Sequence, residues 1–363
     1  VKKVFLFLFA LITMTLAACG SSTDTGTETN GEAGSEEVKT KTAAETEEKE
    51  KLTMVWYPNE SGADLKDARD EIGRLIEEET GIKVEHQTTT DYIIAIESIA
   101  QGNADLAFMG AQGYIEANNK SDSVQPLVVS SGKSGTLEDA VYYSWLNVKK
   151  GNEDQYKDGE EYSLDNIVDK KFSFVSNSST SGFKVPSTGI VSYFSEKDEF
   201  KDLTTDDLLE GGAFFSEVLY GGSHQGSAVN LLQDRAEVAA FCDVCVNNYI
   251  ELVEGEMNRP GAVYQVKDDA AEPFNTVAGE QFVSISVTPV LNAPFVVNEE
   301  TVSEELIEKI RALFLSDAVA ENEKIFIPEG SEFTGLFSKS EEGLERFVEV
   351  EDAWFDPIRE LSK

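Results

Sequence analysis

The run Val175-Ser176-Asn177-Ser178-Ser179-Thr180-Ser181-Gly182-Phe183-Lys184-Val185-Pro186 takes the chain from an apolar stretch through a cluster of hydroxyls to a proline that the first turn of a helix accepts. A helix start carries unpaired N–H groups and about half a positive charge, so it attracts an anion. Ser179, Thr180 and Ser181 add hydroxyl donors at the same point, and Gly182 permits a close backbone approach. A tetrahedral oxyanion, with its three or four acceptor oxygens, suits such a ring of donors. Taken alone, the segment also reads as a serine-rich loop with an ordinary N-cap.

The chain has two histidines. His224 follows Gly221-Gly222-Ser223 at the predicted start of a helix, where its ring can donate to an anion. His86 lies on a polar stretch after a strand and is read as a surface residue. Neither stands at metal-ligand spacing from a Cys or Glu, so no metal site and no cofactor are expected. Cys242-Asp243-Val244-Cys245 has C-x-x-C spacing, which a local disulfide, a redox pair or two buried thiols would each satisfy. Lys184 is expected to face solvent, and Glu77-Glu78-Glu79 reads as a solvated helix face.

The elements that must position these residues alternate. Leu52, Met54 and Trp56 read as a strand, and Tyr57-Pro58-Asn59-Glu60 as a turn. Leu65, Ala68, Ile72, Leu75 and Ile76 recur at helical spacing up to Thr80-Gly81. Ile82 to Val84 is a second strand, Asp91 caps a helix that stops at Gly102, and Leu106 to Met109 is a third strand. This β-α-β-α-β order implies a parallel sheet covered on both faces. Strands at Phe172–Val175 and Val238–Phe241, with a helix near Ser227–Gln233, repeat the scheme. Thr301 to Glu304 reads as a capping box for the helix that follows. The expected fold is two α/β lobes, 52–150 with 290–363 and 151–289, with crossings near 145–165 and 286–295.

The first 19 residues have the form of an export signal: Lys2 and Lys3, an apolar run from Val4 to Leu16, then Leu16-Ala17-Ala18-Cys19. The run is too short to span a bilayer. L-A-A-C resembles the lipobox of bacterial lipoproteins, in which Cys19 would be lipidated. Residues 20–51 are rich in Gly, Ser, Thr, Glu and Lys and read as a disordered acidic tether. The 363-residue chain has 68 Asp and Glu against 30 Lys and Arg, a formal net charge of −38. Such a field repels nucleic acid and anionic bilayers, but not a small anion held by local dipoles. Three cysteines exclude a disulfide scaffold.

Several segments, in order, resemble the phosphonate-binding proteins of ABC importers. Ser179-Thr180-Ser181-Gly182-Phe183 with Val185-Pro186 is similar to that family's phosphate-grasping segment. Thr80 to Val84 with Asp91-Tyr92, Gly102 to Phe108, Gly221 to His224, Thr288-Pro289 with Pro294 to Val297, and Phe347 through Asp352 with Asp356-Pro357 and Arg359 are similar to its other motifs, with Phe355 replacing a tyrosine. The resemblance spans roughly residues 52–363. It implies a two-lobed periplasmic-binding-protein-like (type II) fold, each lobe a mostly parallel sheet flanked by helices, with the ligand in the cleft. Carried over, Ser179, Thr180, Ser181 and His224 hold phosphoryl oxygens, while Tyr92 and Tyr142, or its neighbour Tyr143, come from the other lobe. Ala293 stands where aminoalkylphosphonate binders carry an acid, which points to phosphate, phosphite or a short alkylphosphonate. The implied protein is a monomeric, lipid-anchored, non-enzymatic receptor on the outer face of a cell membrane, partnered by an ABC permease. A sensory receptor for a membrane kinase is one alternative. Another is an enzyme like those of the thiamine pathway, which would need a base near Cys242.

Overall fold

Parallel strand–helix–strand units build one half of each of two sheets, and strands that return through the molecule complete the other half. In the computed structural model, residues 49–331, 333–341 and 343–361 are described; Cys19, the export signal and most of the tether lie outside them. The first sheet runs Phe347–Glu349, Val124–Ser130, Pro294–Asn298, Leu106–Phe108, Lys51–Trp56, Lys83–Thr88. The second runs Ile250–Glu254, Val263–Val266, Gln281–Leu291, Val141–Lys149, Val238–Cys242, Lys171–Phe174, Glu217–Tyr220.

Neither sheet is mostly parallel, which corrects the expectation. Parallel pairing is confined to Lys51–Trp56 with its two neighbours and Lys171–Phe174 with its two; every other pairing in the two sheets is antiparallel. The cause is the chain path. Val141–Lys149 and Gln281–Leu291 run antiparallel to each other over nine paired positions, with a register shift between Ser284 and Ser286. The strand at Val141–Lys149 therefore belongs to the second sheet, although sequence grouped it with the first lobe. The chain crosses ahead of Val141 and again at Asn292-Ala293, between Leu291 and Pro294.

Each sheet buries apolar side chains on both faces. Trp56, Phe295, Phe314 and Phe347 centre one core of the first lobe, and Phe172, Phe174, Phe214 and Phe215 one of the second. Helix Lys66–Thr80 ends at Gly81, whose φ of 75° only glycine adopts without strain. Helix Tyr92–Ala100 is capped by Asp91, whose Oδ1 accepts the Ile93 N–H at 3.3 Å.

Three local expectations change. The capping box at Thr301 does not form: helix Glu304–Phe314 starts at Ser303 without a side-chain cap. Thr301 Oγ1 instead donates to buried Asp105 at 2.7 Å. Asp105 also accepts the Thr53 N–H at 2.8 Å and the Lys49 ammonium, so a buried carboxylate outcompetes a helix cap for the hydroxyl. His86 is half-buried, its Nδ1 accepting from Trp56 Nε1 at 3.0 Å, because strand pairing sets residue 86 beside Met54. The tether boundary at residue 51 also moves, since Lys51 already pairs in the first sheet.

Candidate functional site

The carboxyl ends of the parallel strands in both sheets face one cleft, because parallel strands deliver their outgoing loops and helix starts to the same edge. From the first lobe come Tyr57–Glu60 after Lys51–Trp56, Gly110 after Leu106–Phe108, and Tyr92 after Lys83–Thr88. From the second come Ser179–Ser181 after Lys171–Phe174 and His224 after Glu217–Tyr220. They line a cavity of about 190 Å³, below the usual range for drug-sized ligands and ample for an ion with a short substituent. Ser179, Thr180, Ser181, His224, Tyr92 and Tyr142 all line it, and all are buried. Among the described residues, no Lys or Arg does.

The hydroxyl run forms a π-helical turn, Thr180–Lys184, that passes directly into helix Val185–Ser195 with Pro186 in its first turn. Ser179 caps the turn by accepting the Gly182 N–H at 3.1 Å. A Cβ on Gly182 would lie 2.2 Å from Val175 Cγ2, so its bareness serves packing under the turn rather than approach to a ligand. Thr180 Oγ1 accepts the Gln112 N–H, from the start of helix Ala111–Lys120 in the other lobe, at 2.9 Å. Its own proton stays free to donate. Gly110 permits this meeting, for a Cβ there would stand 2.8 Å from Thr180 Oγ1.

His224 opens helix His224–Leu232, capped by Ser223. Its Nδ1 accepts the Cys242 N–H at 3.0 Å, and its Nε2 lies 3.4 Å from Ser179 Oγ. Burial pushes the ring down to about pKa 3, so it is neutral at ordinary pH. With Nδ1 accepting, the single proton sits on Nε2, facing the hydroxyls. Burial likewise raises the Tyr92 and Tyr142 phenols well above their usual range, which keeps both as donors. Tyr92 Oη accepts from Asn59 Nδ2 at 2.6 Å, and the Tyr142 hydroxyl lies beside Ser181 and Thr180.

Strand alternation separates the two candidate tyrosines: Tyr142 lines the cavity and Tyr143 packs against the second lobe's own core. Tyr142 belongs to the second sheet, the same side as Ser179, which corrects its assignment to the opposite lobe. Lys184 is half-buried rather than freely solvated, and burial lowers its ammonium pKa.

Cys242 and Cys245 form a disulfide in the cavity's surroundings. His224 is beside Cys242 in space despite a separation of 18 in sequence. The base that sequence did not find for Cys242 is therefore present, but the sulfur is already bonded to Cys245.

Sequence reading passed over Asn59, Glu60 and Gln225. Asn59 Oδ1 accepts the His224 N–H at 3.1 Å and its carbonyl accepts from Gln225 Nε2 at 3.0 Å, both across the cleft. Ser178 Oγ donates to Glu116 at 2.7 Å, also between lobes. The lobes are thus closed on each other. The available signal was position: a polar turn directly after the first parallel strand must sit at the binding edge.

Residues 54–355 match the family model described as "ABC transporter, phosphonate, periplasmic substrate-binding protein". The chain belongs to that family. As a member it is a substrate-binding component of an ABC importer system, and its fold is the two-lobed one of periplasmic binding proteins. It is 27% identical over 312 residues to the phosphate-import protein PhnD of Mycolicibacterium smegmatis, covering 85% of this chain and 84% of that one. Among solved structures, the binding protein of an ABC phosphonate transporter from Pseudomonas aeruginosa superposes with a TM-score of 0.60 at 19% identity, over 86% of each chain. PhnD1 of Prochlorococcus marinus, in complex with methylphosphonate, gives 0.58 at 14% identity, over 86% of this chain and 97% of that one.

Proposed function

We propose that this family member captures a phosphorus oxyanion (phosphate, phosphite or a short alkylphosphonate) between its lobes and delivers it to the permease of an ABC importer. The observation that carries the reading is convergence. Five buried hydroxyls and one neutral N–H, from Ser179, Thr180, Ser181, Tyr92, Tyr142 and His224, line one small cavity at a helix start. All are uncharged donors, which matches a ligand made of acceptor oxygens.

The magnitudes allow it. A hydrogen bond to a charged group contributes about 1.5–3 kcal/mol net, and a micromolar dissociation constant needs about −8 kcal/mol. A full ring of such bonds reaches that range after the costs of ordering and closure. Because donors come from both lobes, the ion favours the closed form. The protein acts outside the cytoplasm as a monomer tethered through lipid on Cys19, and performs no catalysis.

Replacing Thr180 with Val keeps the side chain's shape and removes its donor. Calorimetry with phosphate or methylphosphonate is expected to show at least about a tenfold loss of affinity. A change below about twofold would remove Thr180 from the ligand shell.

A further inference from the structure

The donor ring leaves two buried acceptors unused. One carboxyl oxygen of Glu60, Oε2, and the side-chain oxygen of Gln225, Oε1, have no hydrogen-bond partner. Both residues line the oxyanion cavity, and Glu60 is 9% exposed. Gln225 cannot turn its oxygen away, because its Nε2 is held by the carbonyls of Asn59 and Cys245 at 3.0 and 3.1 Å. Glu60 makes no ion pair among the described residues. Arg69, the nearby cation, donates to the Glu60 and Gly62 backbone carbonyls instead. An ionised, unpaired carboxylate beside an anion would oppose binding, and a buried charge without a partner is costly. A proton on that oxygen resolves both problems.

We propose that Glu60 shares a proton with the bound oxyanion, so that ion capture is coupled to one proton held between the carboxyl Oε2 and a ligand oxygen. The inference rests on the oxyanion reading above and adds to it which ions the cleft accepts. No bond to phosphorus is made or broken; either partner can bring the proton.

Burial raises the Glu60 carboxyl to about 8, against weaker opposing effects from its own backbone N–H, Asn59 and Arg69. At neutral pH it is therefore a neutral donor to any tetrahedral oxyanion. Above that range it is a carboxylate, and only a ligand that carries its own proton suits it. The neighbouring phenols, guanidinium and imidazole do not titrate in this window. The Tyr57, Tyr92, Tyr142 and Tyr249 phenols, which sense the Glu60 charge, are all raised by burial. Arg69, though lowered by burial, remains a cation with the Asp64 carboxyl beside it, and His224 is neutral.

The test is calorimetry with methylphosphonate and with inorganic phosphate, at pH 7 and pH 9.5, on wild type and Glu60→Gln. Glutamine keeps an N–H donor at every pH, and the wild-type to variant ratio at each pH cancels the ligand's own titration. Wild-type affinity for methylphosphonate is expected to fall at least about tenfold relative to Glu60→Gln between the two pH values, with a smaller fall for phosphate. Repeating wild-type titrations at pH 9.5 in two buffers of different ionisation enthalpy is expected to show uptake of close to one proton with methylphosphonate, a readout that needs no variant. Parallel pH profiles together with no proton uptake would overturn the role of Glu60 while leaving oxyanion capture intact. Absence of binding by wild type at pH 7 would overturn both.

Discussion

At the scale of single residues, a neutral histidine is the informative group in the cleft. His224 donates through Nε2 only because Nδ1 is occupied by the Cys242 amide and because burial keeps the ring uncharged, near pKa 3. The same burial sets a pH dependence of folding. Below the unfolded-state value of about 6.5, the unfolded chain takes up a proton that the folded ring refuses, so stability falls as pH falls. Between pH 7 and pH 5 the loss is about 2 kcal/mol. Glu60 acts with the opposite sign: its folded pKa is raised to about 8, so it costs stability as pH rises from about 4.5 to 8. Its contribution is common to wild type and His224→Gln and cancels between them. Urea unfolding at the two pH values is expected to show a loss about 2 kcal/mol smaller in His224→Gln. Equal losses would mean the folded ring accepts a proton.

At the scale of elements, the site is a product of strand direction and of a short covalent staple. Parallel pairing carries the loops after Lys51–Trp56 and Lys171–Phe174 to the same edge of their sheets, and the disulfide fixes the loop after Val238–Cys242. That loop holds two site residues at once: the Cys242 amide sets the His224 ring, and the Cys245 carbonyl holds Gln225. Opening the disulfide is expected to loosen both and to weaken oxyanion binding severalfold, while leaving the sheets intact. The measurement is calorimetry on the Cys242→Ser, Cys245→Ser double variant, with circular dichroism as the check on folding. Unchanged affinity would show that the backbone holds the loop without the sulfur bond.

At the scale of the molecule, a net charge of −38 and an anion-binding cleft coexist because the two act over different distances. Exposed carboxylates are screened beyond about 8 Å at physiological salt, whereas the hydroxyls and the imidazole proposed to hold the ion would act on it at contact distance. A cavity lined by no Lys or Arg among the described residues makes affinity a matter of hydrogen-bond geometry, and closure of the lobes creates that geometry. The proposed attachment through Cys19, outside the described residues, would hold the receptor near its permease. Replacing Cys19 with Ser is expected to move the protein from the membrane fraction to the soluble fraction. Persistence in the membrane fraction would refute lipid attachment at that position.

The sequence by itself determined what is local. The hydroxyl cluster before a helix start, the Gly-Gly-Ser-His helix entry and the β-α-β alternation are short-range patterns, and they pointed to an oxyanion site on a two-lobed α/β fold. Long-range pairing was decided only in the tertiary structure. The antiparallel returns, the sheet that owns Tyr142 and the pairing that half-buries His86 depend on which distant strands meet, and local periodicity carries no record of that. Asn59 and Glu60 read as a turn until the second lobe closes over them and supplies His224 and Gln225 as neighbours. Burial depends in the same way on everything packed around a group, so whether a carboxyl such as Glu60 keeps its proton is settled by the folded whole.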